Sequence, residues 1–413
     1  MDARPARSTR RAALVLAGGG ARGAYEAGVL AHLFEEVYPR LPPGFEFDVV
    51  SGTSVGAIHA AYLAASAHLR GAPRSRFLVN TWREMAVRDV LHLSTTDLVG
   101  VPLRALGLTR LVRRRRPGTP ADAVGGLVDL APLERVVAER IPWASLRANL
   151  AQGRPGALCV SCTEVRSGRV TIFLDGPLAD PAPWSFDPNA QAILAEVTQA
   201  HVRASAAIPF LFPAVRIGDR LYVDGGLRMN TPLSPALRLG SERVLVVALK
   251  HSPGVAGGAG VYAEDVITQP AFLLGKVLNA LLLDQLEYEL QRVGLVNAWI
   301  ERGTEAYGEQ FLDTINVAVR EQRGAGYRPV RTVVVRPSAD VGALAGHCYR
   351  AGAVALGVLP ALLTRLALRG VPEEEADLLS YLLFDRCFTR QLVEMGREDA
   401  RQRTDDILEL LAG

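Results

Sequence analysis

The chain has few aromatic residues, few cysteines, almost no lysine and no excess of one charge. Aromatics make up 6% of its 413 residues, whereas 49% are hydrophobic, so the core has to be built from Ala, Leu and Val. A chain of this length buries such a core without disulfides or a structural metal. Its positive charge is carried almost wholly by arginine, and the formal net charge is only +3. That balance lacks the broad basic footprint of a nucleic-acid binder. Four cysteines do not make a disulfide framework. Cys159 and Cys162 form a C-x-x-C, but they fall in the strand-like stretch 157–165, where alternation sends them to opposite faces. They read as buried free thiols in a reducing compartment.

Long apolar runs are also missing. Residues 351–363 are apolar, but Pro360, Arg365 and Arg369 interrupt or end the run too early for a membrane span. Arg10 and Arg11 before Ala12–Ala17 look like the start of a signal peptide, yet that stretch is short and leads straight into a glycine motif. Residues 1–10 are therefore expected to be a basic disordered arm on a cytoplasmic chain. The run Arg113–Arg116, next to Arg110, reads as a solvated loop or helix end. Together with leucine-rich segments near 271–283 and 351–363, it also carries the hypothesis of peripheral contact with the inner membrane surface. At helical spacing those leucines read first as core.

Three short segments carry the chemistry. Gly18-Gly19-Gly20-Ala21-Arg22-Gly23 follows an apolar strand at 11–17 and precedes a helix reaching about Tyr38. Gly52-Thr53-Ser54-Val55-Gly56 follows a strand at 45–50 and precedes an Ala-rich helix at 57–70. Asp224-Gly225-Gly226 ends the second strand of a hairpin, 214–217 and 220–223. Two successive strand–turn–helix units predict a largely parallel, doubly wound sheet. Further strands are expected at 157–165, 169–174, 243–249 and 332–335, and a helix at 191–206. Residues 254–260 are Gly-rich and read as a loop or lid hinge.

G-x-S-x-G in this context reads as a nucleophile elbow: Gly52 and Gly56 permit the tight turn, and the helix start favours negative charge near Ser54. The alternative is that Ser54 merely caps the helix. Gly18, Gly20 and Gly23 also satisfy the dinucleotide fingerprint, but that reading needs an acid at the end of the second strand, where the serine lies instead. The N–H groups of Gly19, Gly20 and Ala21 then serve better as donors to a developing oxyanion, with Arg22 locking the loop or adding positive potential. Asp224 at a strand end is placed to act on Ser54, as sole base or with His251 in Ser–Asp–His order. His59, five residues beyond Ser54, is expected to face away, and His201 to be structural. No ligand cluster points to a metal or cofactor.

The three motifs, with Ala204-Ser205-Ala206-Ala207-Ile208-Pro209 between the second and third, closely resemble the patatin-like phospholipase family over about residues 12–250. The resemblance implies a three-layer α/β/α sandwich with a mostly parallel sheet, Ser54 as nucleophile and Asp224 as base without a catalytic histidine. It implies Gly19, Gly20, Ala21 and Arg22 as the oxyanion loop, supported by Gly18, Gly23, Gly225 and Gly226. The expected substrate is a fatty-acyl lipid: phospholipid, lysophospholipid or neutral acylglycerol. The expected organisation is an α/β domain at 11–340, with helical insertions about 71–156 and 256–325, then a helical extension at 341–413 matched to nothing named. Those added helices keep a regulatory role in view without identifying a protein partner. A carboxylesterase triad, a dinucleotide binder and a non-catalytic regulatory protein are the competing readings.

Overall fold

The computed structural model describes residues 10–85, 123–124, 131–209, 212–251, 286–351 and 377–412. The Arg110–Arg116 cluster, the Gly-rich stretch 254–260, the leucines near 271–283, nearly all of 351–363 and the arm before residue 10 lie outside these described residues.

The chain begins with the two expected units, β1 (Arg11–Leu16) to α1 (Gly23–His32) and β2 (Val49–Thr53) to α2 (Val55–Ala65). Next come α3 (Ala72–Glu84), β3 (Ala123–Val124), α4 (Ala131–Arg140) and α5 (Trp143–Ala151). The middle holds β4 (Ala157–Glu164), β5 (Val170–Asp175), β6 (Ala190–Leu194), α6 (Gln199–Ser205), β7 (Ala214–Ile217), β8 (Arg220–Asp224), α7 (Leu233–Arg238) and β9 (Ser241–Val247). The remainder is α8 (Leu286–Tyr307), α9 (Gln310–Arg323), β10 (Arg331–Val335), α10 (Val341–Arg350), α11 (Asp377–Leu382), α12 (Arg386–Gln402) and α13 (Thr404–Ala412).

The sheet runs β10-β9-β1-β2-β4-β8-β7-β3, and β5 and β6 branch from β4. Strands β10, β9, β1, β2 and β4 are mutually parallel, as the repeated strand–turn–helix pattern requires. Alternation builds two cores. Leu14, Leu16, Leu245 and Val247 face one, against α1, α2 and α12, while Ala13, Val15, Val244 and Val246 face the other, against α7 and α8. The result is an α/β/α sandwich. Cys162 joins the first core and Cys159 the second, as alternation predicted, and all four cysteines are free thiols. Cys387 is only half-buried; its Sγ lies 2.7 Å from that of Cys348.

One expected element is wrong. The stretch 191–206 is not one helix: Ala190–Leu194 is a strand pairing in parallel with β5, and the helix begins only at Gln199. Ala and Leu favour a helix locally, but the open edge of β5 accepts this segment and tertiary pairing overrides propensity. Thr198 then starts α6 with a capping box closed by His201. The second strand also starts later than expected, at Val49, and runs to the residue before Ser54.

β4 positions the site. β5 lies along one edge of it, pairing from Leu158 to Thr163. The other edge is shared by two strands: β2 occupies it as far as Thr53 opposite Ser161, and antiparallel β8 begins with Asp224 opposite Cys162. The two strands arrive head to head, so the residue after Thr53 meets Asp224.

Candidate active site

Ser54 has φ 55° and ψ −122°, the one positive φ outside glycine among the described residues. Such a conformation costs about 1–3 kcal/mol and persists only when its surroundings impose it. Here Gly52 and Gly56 allow the backbones to touch: a Cβ on Gly52 would lie 2.2 Å from Gly56 O, and one on Gly56 2.3 Å from Leu16 O. Ser54 caps nothing with its side chain, so the helix-cap alternative fails. Its N–H donates to Ser205 Oγ at 2.9 Å, and that hydroxyl donates to Ser161 O at 2.6 Å, tying the elbow to α6 and β4. Ser205 was legible only as part of the Ala204–Pro209 segment; its role needed the structure.

Ser54 Oγ donates to Asp224 Oδ2 at 2.7 Å. The other oxygen, Oδ1, accepts the Gly226 N–H at 2.7 Å, which fixes the carboxylate plane. Asp224 is 1% exposed. Burial pushes its pKa up to about 7, against the opposing pull of the Ser54 and Gly226 hydrogen bonds. A carboxylate at that value is a far better base at neutral pH than an ordinary aspartate. If Asp224 has to be ionised for turnover, kcat/KM should rise from pH 6 to pH 8 with an apparent pKa near 7. Stability has the opposite sign. The folded pKa lies above the unfolded one, so stability is full below about pH 4 as regards this group and is lost as pH rises through 7. Asp224→Asn should flatten both dependences, measured by ester turnover and by urea unfolding at pH 6 and 8.

Gly18–Gly23 turns beside Ser54. Its ends are pinned by Gly18 N–H to Asn230 O at 2.9 Å and Arg22 N–H to Gly19 O at 3.1 Å. Gly20 needs its φ of 56°, and a Cβ there would lie 2.3 Å from Tyr381 O. The Arg22 side chain is buried: its Nε donates to Ser380 Oγ at 2.7 Å and its guanidinium lies 4.2 Å from the Tyr381 ring centre. Arg22 therefore locks the loop to α11, one of the two roles its sequence position offered. Gly23 packs against Val55, and Gly225 against Ser161 O.

Among the described residues, no histidine touches this pair. His251 Nδ1 lies 2.9 Å from Pro337 O, with no bond to Asp224 or Ser54. His59 is buried between Glu26 Oε2, 2.6 Å from Nδ1, and the Trp82 indole N–H, which donates to Nε2 at 2.9 Å. Both ring nitrogens are thus occupied; because indole only donates, the proton sits on Nδ1. Burial raises the Glu26 pKa, and its bond to His59 opposes this. His201 closes the cap of α6, a structural role as expected. An apolar pocket opens at Ser54, walled by Ile58, Phe77, Trp82, Tyr381, Leu382 and Phe384. Phe384 stacks on Trp82 at 6.2 Å, so the C-terminal helices supply one wall. Neither His59 nor these C-terminal residues were legible as parts of the site. No group of metal-ligating side chains occurs among the described residues.

The family model for patatin-like phospholipases matches residues 14–237, just over half the chain. The chain belongs to the patatin-like phospholipase family. The match spans the glycine loop, Ser54 and Asp224 and ends within α7, so the C-terminal wall of the pocket lies beyond the family's matched segment. Curated relatives include uncharacterised NTE family proteins of Mycobacterium tuberculosis (strain H37Rv) and Mycobacterium bovis. Each is 24% identical over 245 residues, 59% of this chain and 51% of the relative. The chain thus spans about half the length of these relatives. Similar solved structures include VipD from Legionella pneumophila, at 13% identity and TM-score 0.34 over 97% of this chain and 67% of that one. Human GIVD cytosolic phospholipase A2, bound to methyl gamma-linolenyl fluorophosphonate, matches at 12% identity and TM-score 0.40, over 97% of this chain and 58% of that one.

Proposed function

We propose that this patatin-like protein is a serine lipid acyl hydrolase working through a Ser54–Asp224 dyad. The observation that carries this reading is the 2.7 Å bond from Ser54 Oγ to the buried Asp224 carboxylate. Asp224 takes the Ser54 proton as Oγ attacks the ester carbonyl. The tetrahedral oxyanion is received by N–H groups of Gly19, Gly20 and Ala21, while Arg22, its own N–H engaged by Gly19, holds the loop in place. Collapse breaks the ester C–O bond, and the protonated Asp224 returns its proton to the leaving alcohol. Water, deprotonated by Asp224, then attacks the acyl-enzyme; the fatty acid leaves and Ser54 regains its proton.

The apolar pocket at Ser54 suits a fatty-acyl chain, and family membership makes phospholipids and lysophospholipids the proposed substrates. No described helix is long and apolar enough to cross a membrane. The His251 triad has no support, because His251 is held by Pro337 O rather than by Asp224.

A fluorophosphonate probe read by intact mass tests the reading. Wild type and His251→Ala should each gain one adduct, and Ser54→Ala none. Loss of the adduct in a folded His251→Ala would move the base to that histidine.

A further inference from the structure

On the face of the sheet covered by α7 and α8 lies a second cavity, of about 430 Å³, which shares no lining residue with the pocket at Ser54. That volume is in the range of small-molecule sites and far above what one water needs. Five arginines line it, Arg228, Arg238, Arg292, Arg323 and Arg328, against the carboxylates of Asp187 and Glu289.

Only part of this charge is answered among the described residues. Asp187 neutralises Arg238, with Oδ2 2.5 Å from a guanidinium nitrogen. Arg323 lies over the Tyr327 ring at 5.2 Å; its carbonyl accepts from Arg238 at 3.4 Å, but its guanidinium makes no hydrogen bond or ion pair among the described residues. Arg292, exposed at the rim, makes none either. Arg328 donates to Gly240 O at 3.0 Å, but its buried Nε has no partner. Burial, with Arg238, Arg292 and Arg328 nearby, depresses the Arg323 pKa. Gathering like charges in a partly buried cavity is unfavourable unless a counter-charge completes it.

The walls are also held rigidly. Asn316 brackets the Tyr327 backbone, accepting its N–H at 2.6 Å and donating to its carbonyl at 2.9 Å. Asn297 does the same for Val330, at 3.0 and 2.7 Å. The two asparagines fix the 327–330 segment that carries Arg328 to α9 and α8, respectively. A guanidinium fork matches phosphate oxygens two at a time, which makes preset arginines the usual means of holding that group.

We infer that this cavity is a binding site for a phosphate-bearing anion, held by Arg292, Arg323 and Arg328 independently of the Ser54 chemistry.

The test uses the full chain carrying Ser54→Ala, so that no lipid is consumed. Pyrophosphate is titrated by calorimetry, and the protein is co-sedimented with phosphatidylcholine vesicles with and without phosphatidic acid. Saturable 1:1 pyrophosphate binding that weakens at least about tenfold in Arg292→Gln and in Arg323→Gln supports a free phosphate compound as ligand. Sedimentation that requires phosphatidic acid and is lost in the same variants supports a lipid headgroup. Binding of neither probe, or binding unchanged in both variants, overturns the inference. Arg292 is exposed and without partners among the described residues, so its variant keeps the test decisive if Arg323→Gln does not fold.

Discussion

Asp224→Asn is expected to lower kcat on a short-chain p-nitrophenyl ester by about four orders of magnitude, with KM changed by less than about threefold. The amide has the size of the carboxylate and can still accept the Gly226 N–H through its oxygen. Its other atom becomes an NH2 donor facing Ser54 Oγ, where the structure has an acceptor at 2.7 Å. The serine proton then has nowhere to go. The apolar pocket proposed for the acyl chain does not involve this atom, so KM should be spared. Ser54→Ala should fall at least as far, and the double variant no further, because the proposed dyad acts as one unit. A loss of less than tenfold in Asp224→Asn would mean that another group takes the proton, and the dyad would have to be abandoned.

Gly396→Ala and Gly28→Ala are each expected to destabilise the fold by about 2–3 kcal/mol, as overpacking of a tight contact does. Both glycines lie inside helices, where propensity alone predicts a gain of about 1 kcal/mol on replacement by alanine. The two effects have opposite signs, so the sign of the result decides. A Cβ on Gly396 would lie 2.1 Å from Tyr25 O, and one on Gly28 2.0 Å from Val393 O. α1 and α12 therefore touch backbone to backbone, and neither can yield without moving the other. The contact is sealed by Tyr25 OH donating to Asp399 Oδ2 at 3.0 Å and by the Arg397–Glu35 ion pair at 2.7 Å. Gly294→Ala in α8 is the control, since a Cβ there meets nothing within 4 Å and should be neutral or stabilising. Urea unfolding of the three variants measures this. A stabilised Gly396→Ala would show that α12 is only loosely laid on α1.

The consequence reaches the site. α12 is joined through Asp385 and Phe384 to α11, whose Ser380 and Tyr381 hold Arg22 and cover Gly20. The C-terminal helices are thus built into the same core as the loops of the candidate site: Phe388, Leu392, Val393, Ile407 and Leu410 are all fully buried with α1. Residues 372–412 mix charge and leucine as an amphipathic helix pair does, a pattern that tells of an apolar face but not of what that face meets.

Where reading along the chain succeeded, the information was local. Glycines at 52 and 56 around a serine, a strand before and a helix after, define an elbow within a handful of residues, because sterics at a tight turn admit few side chains. The glycine loop, the hairpin ending at Asp224 and the parallel sheet were legible for the same reason. The mistaken helix at 191–206 marks the limit: Ala190–Leu194 is a strand because β5 offers it an edge, not because of its own preferences.

Local pattern thus sufficed for the parallel sheet, the order of the motifs and the candidacy of Ser54 and Asp224, while the three layers came from the family resemblance. That these two meet is a matter of long-range pairing. That depends on β2 and β8 sharing one edge of β4 in adjoining registers, a pairing across 170 residues that no local pattern encodes. The same long-range packing turned His251 toward Pro337, enclosed His59 between Glu26 and Trp82, and gathered arginines from four parts of the chain around one cavity. Local sterics write turns and strands into short stretches of sequence; which charges face one another is set by register and helix docking, and these are properties of the whole core.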